Sequence, residues 1–425
     1  MRPMRFSLDL TVTLAIFAVI LFVARAWAAP KETVLHSFSG GKDGSQPYAG
    51  LISDAAGNLY GTTAFGGYPG HVGDGTVFEL VPLSDGGWTE TVLYSFKHSD
   101  VDGHGPYAGL TLDTAGNLFG TTVAGGGSIS SRGAAFELTP QTRGVWAETI
   151  LYSFTGKYGR DPQAGLILDA SGNLYGTTAA GGVYGQGAVF ELTPHAGGWS
   201  PRVLHSFAKD GNQGKGPSAS LIFDAAGNLY GTTSGGGDGY GAVFELKREE
   251  GAPWAEKVLH SFNGKNGKYP EASLILDGAG NLYGTTEQGG NLSECGGFGC
   301  GVVFELSPNS GGGWTEKILH NFTGGKDGAS SLGGLVFDAS GNLYGTAARG
   351  GDLSCGYQGA GCGVVFKLVP RSYGGWAEDV LYSFKGGNDG AAPAAGLILD
   401  AAGNLYGTTV VGGTSDLGTV FKIVP

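Results

Sequence analysis

Residues 164–178 read Ala-Gly-Leu-Ile-Leu-Asp-Ala-Ser-Gly-Asn-Leu-Tyr-Gly-Thr-Thr. The apolar run 164–168 is strand-like and stops at Asp169, whose carboxylate can accept hydrogen bonds from the backbone of a turn, while Gly172 supplies the positive φ such a turn needs. In the next run, Asn173-Leu174-Tyr175-Gly176-Thr177, Leu and Gly fall on one face of a strand and Tyr and Thr on the other. The glycine leaves room for a neighbour's bulk. The stretch is therefore two antiparallel strands around a tight turn, with both faces of the second strand buried.

The same motif, D-x-x-G-N-L-[YF]-G-T, recurs at Asp54, Asp113, Asp169, Asp224, Asp277, Asp338 and Asp400, and its seven copies occupy 54–63, 113–122, 169–178, 224–233, 277–286, 338–347 and 400–409. Successive motif asparagines (58, 117, 173, 228, 281, 342, 404) lie 53 to 62 residues apart, room for four short strands and their turns. A glycine-rich loop follows each motif and leads to a third strand such as Gly187-Ala188-Val189-Phe190-Glu191-Leu192. A fourth opens at Trp88, Trp146, Trp199, Trp254, Trp314 or Trp376 and ends in Leu-[His/Tyr]-[Ser/Asn]-Phe. Tryptophans repeated at one position are packing residues.

Four strands repeated seven times predict an all-β fold, a seven-bladed β-propeller of four-stranded blades; a linear β-solenoid is the alternative. A lone fourth-strand copy, Thr33-Val34-Leu35-His36-Ser37-Phe38, precedes the first unit, and the seventh unit stops after its third strand. Pairing the two predicts a ring closed by the N-terminal strand joining the last blade, with no open sheet edge left.

Of the 425 residues 83 are glycine, but hydrophobic residues reach 41% and no Gly-X-Y period exists, which disfavours collagen and disorder. Residues 1–28 read as a secretory signal peptide, with Arg2 and Arg5, an apolar run from Leu10 to Val23, and the cleavage signal Ala26-Trp27-Ala28. The mature chain, 29–425, is expected as a single propeller, a monomer without a membrane span, secreted or periplasmic. Its cleavage would remove three arginines (Arg2, Arg5, Arg25) and one aspartate (Asp9), taking the formal charge from −12 to −14. That sign opposes nucleic acid and anionic lipid as partners.

At G-N-L-Y-G-T-T and G-[TAV]-V-F-[EK]-L, over residues 31–425, the sequence resembles the bacterial extracellular tandem-repeat family named for Gloeobacter and Verrucomicrobia. Its members often carry a C-terminal sorting segment. The resemblance implies an extracellular repeat protein and no assigned reaction.

In blades of this order, the loops between second and third strands and those leading into the next blade share one face. They vary in length and charge, whereas the turns of the other face are nearly identical, so recognition is expected on the variable face. Glycan or protein is the expected ligand of a non-catalytic scaffold. The alternative is a secreted carbohydrate-active hydrolase or lyase, which requires an acid/base cluster that breaks the repeat. No catalytic residue is identifiable from the repeat itself: His36, His205, His260 and His320 alternate with Tyr94, Tyr152 and Tyr382 at one structural position.

The inter-blade loops carry Asp43, Asp102, Asp210, Asp327 and Asp389, with Asn266 replacing Asp in one loop and Asp161 displaced in another. Turn chemistry explains these aspartates, and they are also candidate ligand-binding carboxylates. No cofactor is required, but His98, Asp100, Asp102 and His104 in one loop, with His71 and Asp74 in its neighbour, form a candidate divalent-cation site for Ca²⁺ or Zn²⁺. The four cysteines of an exported chain predict two loop-local disulfides, Cys295–Cys300 and Cys355–Cys362, over pairing between the loops or a zinc site.

Overall fold

The computed structural model describes residues 30–68, 74–97, 99, 101–127, 131–208, 213–248, 253–355 and 359–425. Seven four-stranded antiparallel sheets are arranged as blades around an axis, and 3-10 turns at Thr142–Gly144 and Cys295–Gly297 are the helical elements among the described residues. The third blade is representative: Ile167–Leu168 lies innermost, followed by Leu174–Thr178, Ala188–His195 and Gly198–Ser206. In the seventh, Ile398–Leu399, Leu405–Thr409 and Thr419–Val424 are joined by Lys31–Ser37, which pairs with Thr419–Val424 from Lys31 opposite Val424 to Ser37 opposite Thr419.

The innermost strand is shorter than the apolar run suggests. Only Ile167–Leu168 pairs within its own sheet, while the carbonyls of Ala164 and Leu166 accept from the Thr121 and Thr111 hydroxyls of the preceding blade. The Thr177 hydroxyl donates to the carbonyl of Ala219 in the next blade at 3.1 Å, and Thr62, Thr121, Thr232, Thr285, Thr346 and Thr408 make the equivalent bond at 2.8–3.3 Å. Thr408 reaches Ala49 of the first blade. The first threonine of each G-T motif thus laces one blade to the next.

Apolar residues of the repeat pack the same boundary. The Phe ending each outer strand meets the Phe of the next blade's third strand edge-on: Phe38 with Phe78, Phe154 with Phe190, Phe384 with Phe421, at 4.9–5.2 Å between centroids. Four tryptophans lie on an aromatic of the preceding blade: Trp88 on Tyr406, Trp199 on Phe119, Trp254 on Tyr175 and Trp314 on Tyr230. Gly176 is needed because a Cβ there would stand 2.7 Å from the Phe190 ring and 2.8 Å from Leu166. Opposite turns are held by their aspartates: Asp169 accepts from the backbone of Ser171 and Asn173, the Asn173 amide and the Tyr175 hydroxyl.

Both disulfides form as the spacing predicts, with Cα–Cα distances of 5.5 Å for Cys295–Cys300 and 5.6 Å for Cys355–Cys362. They suit an oxidising, extracellular setting. Among the described residues no helix is long and apolar enough to cross a membrane. The signal-peptide segment, 1–28, lies outside the described residues.

Candidate functional site

The variable face is built by one repeated device. The loop entering each blade bridges the loop after that blade's second strand, as Ser45 does Phe65, Lys215 does Gly235 and Ala329 does Arg349. The chain then turns onto the axis through a residue of positive φ: Gln46 (56°), Gly105 (68°), Asp161 (58°), Gly216 (64°), Tyr269 (56°), Ser330 (56°) and Ala392 (55°). In six blades proline follows, and in the five blades whose turn residue is not glycine the positive φ is strained and held by its surroundings. Two residues past the turn the side chain faces the axial opening.

Those seven side chains are Tyr48, Tyr107, Gln163, Ser218, Glu271, Leu332 and Ala394, and all line one central hollow of about 330 Å³. They share a repeat position but not a chemistry. Tyr48 and Tyr107 stand together, 5.3 Å between centroids and tilted by 40°, with Phe65 edge-on to Tyr107 at 6.0 Å. Across the opening lies Glu271, the only charge in the ring. At the position just after the G-T-[TA] motif the seven residues are Ala64, Val123, Ala179, Ser234, Glu287, Ala348 and Val410, and here Glu287 is the only charge. One residue further on Arg349 has the same distinction. Burial, then the charge of Glu287, push the Glu271 carboxyl up.

Two hollows widen this mouth. One, of about 940 Å³, runs from Tyr48, Leu332 and Glu287 out over blades six and seven to Arg349, Lys385 and Asp416, with Cys355–Cys362 in its wall. The other, of about 650 Å³, spreads over blades three to five between Glu271, Glu287, Tyr269 and Lys215. Together they form a funnel with an aromatic wall on blades one and two and charged walls on blades five and six. The repeat reading overlooked this ring. Its signal is the residue x in P-x-A-[GS]-L, a segment that six blades share and that reads Ser331-Leu332-Gly333-Gly334-Leu335 in the other, with x changing in character from blade to blade.

The loop aspartates serve elsewhere. Asp43 accepts from the backbone N–H and hydroxyl of Ser39, Asp327 from those of Thr323, Asp389 from the Lys385 N–H and Tyr382 hydroxyl, and Asp102 from the Lys97 N–H and Tyr94 hydroxyl. Their carboxylates meet the His/Tyr position of the outer strand, as in His320 Nε2 to Asp327 at 3.3 Å, and so face the outer rim. Asp210 lies outside the described residues, as do His71, His98 and Asp100 of the candidate cation site. Of that site's described members, Asp74 is buried with its carbonyl accepting from Gly105, Asp102 is engaged as above, and His104 pairs with Ala124 in a two-residue strand. Among the described residues no three His, Cys, Asp or Glu side chains are grouped to hold a metal ion.

The rim holds a second recurring cluster. The outer strands contribute a recurring glutamate, Glu32, Glu90, Glu148, Glu256, Glu316 and Glu378, each partly buried with one carboxyl oxygen lacking a partner among the described residues, and Glu32, Glu90, Glu148 and Glu378 lie near Asp389, Asp43, Asp102 and Asp327 of the preceding blade. Burial pushes all six up to about 7. The Asn266 amide donates to Glu316 at 3.0 Å, and His260 lies 3.6 Å from it. In the one exception Pro201 takes the glutamate's place, and Tyr152 packs on Tyr158 instead of an acid.

The model of the Gloeobacter/Verrucomicrobia repeat matches residues 23–167, 126–357 and 292–425, so the chain belongs to that family. No curated protein matches it in sequence. Among solved structures, an ancestral GH74 enzyme is 10% identical with a TM-score of 0.52, the match covering 89% of this chain and 50% of that one. A Bacteroides uniformis protein provisionally assigned as a 6-phosphogluconolactonase is 12% identical over 88% of this chain and 98% of that one, TM-score 0.47. A gluconolactonase from Xanthomonas campestris is 15% identical over 76% and 93%, TM-score 0.42. At these identities the likeness is one of fold.

Proposed function

We propose that this repeat-family member is an exported carbohydrate-binding propeller whose site is the axial funnel of the variable face. One observation carries the reading: at a single repeat position, where the scaffold asks only for a side chain at the mouth, seven blades supply an aromatic pair opposite a carboxylate. Sugar rings present apolar C–H faces and rows of hydroxyls. Tyrosines give the first a flat, rigid surface, and Glu271, Glu287 and Gln163 give the second its acceptors and donors. The strained turns beneath hold these side chains in place before a ligand arrives, which lowers the entropy lost on binding. The test is a glycan array probed with residues 29–425 and with Tyr48→Ala/Tyr107→Ala. Saccharide binding lost in the double variant supports the reading, and binding unaffected by it refutes it.

A second reading is favoured by Glu271 and Glu287. Neighbouring carboxyls with one pushed up by burial and by the other's charge match the acid and base of glycoside hydrolysis. Release of reducing ends from a bound oligosaccharide, abolished in Glu271→Gln, would move the assignment from binding to hydrolysis.

A further inference from the structure

We propose that the saccharide carries an anionic substituent, a carboxylate or a sulfate ester, received by Arg349 in the hollow over blades six and seven; this rests on the funnel being a carbohydrate site. Arg349 occupies a position filled elsewhere by Phe65, Ala124, Ala180, Gly235, Gln288 and Val411. Packing cannot be the reason for a cation there, since the fold is equally satisfied by phenylalanine, glycine and valine. Its backbone is fixed by paired hydrogen bonds with Ala329, N to O at 3.0 Å and O to N at 2.9 Å. Its side chain is exposed, lines the 940 Å³ hollow, and among the described residues forms no ion pair. Of the other charges lining that hollow, Asp416 accepts from the Gly412 N–H at 2.9 Å, Glu287 also lines the neighbouring hollow with Glu271, and Lys385 is a second cation.

A guanidinium presented from a rigid bridge into a concave site, with no ion-pair partner among the described residues, is the fork that binds planar or tetrahedral oxyanions through two parallel hydrogen bonds. Tyr48 lines both this hollow and the axial one, so a sugar stacked at the mouth can extend a neighbouring residue towards Arg349. The chain's net negative charge, which opposes polyanions such as nucleic acid, opposes a single substituent less. Seven aspartates, Asp54 to Asp400, cap turns on the opposite face, and long-range repulsion is screened beyond about 8 Å at physiological salt.

The experiment is calorimetric titration of residues 29–425 with two matched pairs: a uronate oligosaccharide against its methyl ester, and a sulfated oligosaccharide against its desulfated form. Tighter binding of either charged member, by about tenfold or more, is expected, and the pair that responds identifies the substituent. In Arg349→Gln this preference should vanish while the neutral member binds as before; Arg349→Lys, which keeps the charge but not the fork, should restore only part of it. Equal affinity for both members of both pairs, or equal weakening of both by Arg349→Gln, overturns the inference and leaves the carbohydrate reading intact. Absence of binding to any of the four overturns both.

Discussion

Lowering the pH from 8 to 5.5 should raise the melting temperature of residues 29–425. The six rim glutamates are held at about 7 in the folded chain against 4.5 ordinarily. The folded state therefore binds their protons more tightly than the unfolded state. The resulting stability is fully present below pH 4.5 and is lost as pH rises through 7. With about 1.4 kcal/mol per pKa unit, linkage gives each glutamate about 2 kcal/mol between pH 8 and 5.5, and water reaching the partly exposed rim reduces this to roughly 1 kcal/mol. Three histidines of the same clusters oppose it. Burial holds His36 and His260 down and His205 down to about 4, so their contribution is present above pH 6.5 and lost as pH falls. The balance is on the order of 4 kcal/mol, or about 5 °C for a chain of this size unfolding as one unit at ~2.1 cal/mol/K per residue. Differential scanning calorimetry across that range reads it directly. Replacing Glu90 and Glu148 by Gln, which keeps shape and removes about 2 of the roughly 4 kcal/mol, should shrink the pH difference by about half. A melting temperature that is flat, or higher at pH 8, would refute the burial argument.

Three other perturbations test the scaffold. Gly176→Ala places a methyl against Phe190 and Leu166 and should cost about 1–3 kcal/mol, visible as a lower urea midpoint, whereas Gly57→Ala, where a Cβ meets nothing within 4 Å, is strained only by its φ of 85° and should cost less. Thr408→Val removes the hydroxyl bonded to Ala49 and leaves that buried carbonyl unpaired, a loss of about 1–3 kcal/mol in the same assay. Deleting residues 31–38 uncovers the edge of Thr419–Val424 and removes the fully buried Phe38, so the melting temperature should fall by several degrees; an unchanged value contradicts the role assigned to Lys31–Ser37.

Blade number, strand order and the two disulfides were legible because each rests on residues that recur or on chemistry that is local. Asp169, Gly172, Gly176 and Thr177 each answer a demand made within the blade or by its immediate neighbour, and that demand is identical seven times. The innermost strand was read too long because residues 164–166 look like strand in isolation while their hydrogen bonds come from the adjacent blade. The funnel was harder to read for the opposite reason. Tyr48 meets Glu271 and Arg349 only through the ring, more than 200 residues away in the chain, and each sits in a segment whose neighbours are largely constant. Attention to shared residues therefore led to the loop aspartates. Of those, Asp43, Asp102, Asp327 and Asp389 accept hydrogen bonds within their own loops, because an Asp-Gly loop with an N–H four or five residues upstream can satisfy its own carboxylate.

Ligand binding belongs where the repeat departs from itself, in the axial funnel. A crystal structure of residues 29–425 soaked with the best saccharide from the array puts this to the test. A sugar ring is expected stacked on Tyr48 and Tyr107, with hydroxyls on Glu271 or Glu287. A saccharide ordered instead on the outer rim or among the Asp54-type turns of the opposite face would contradict it.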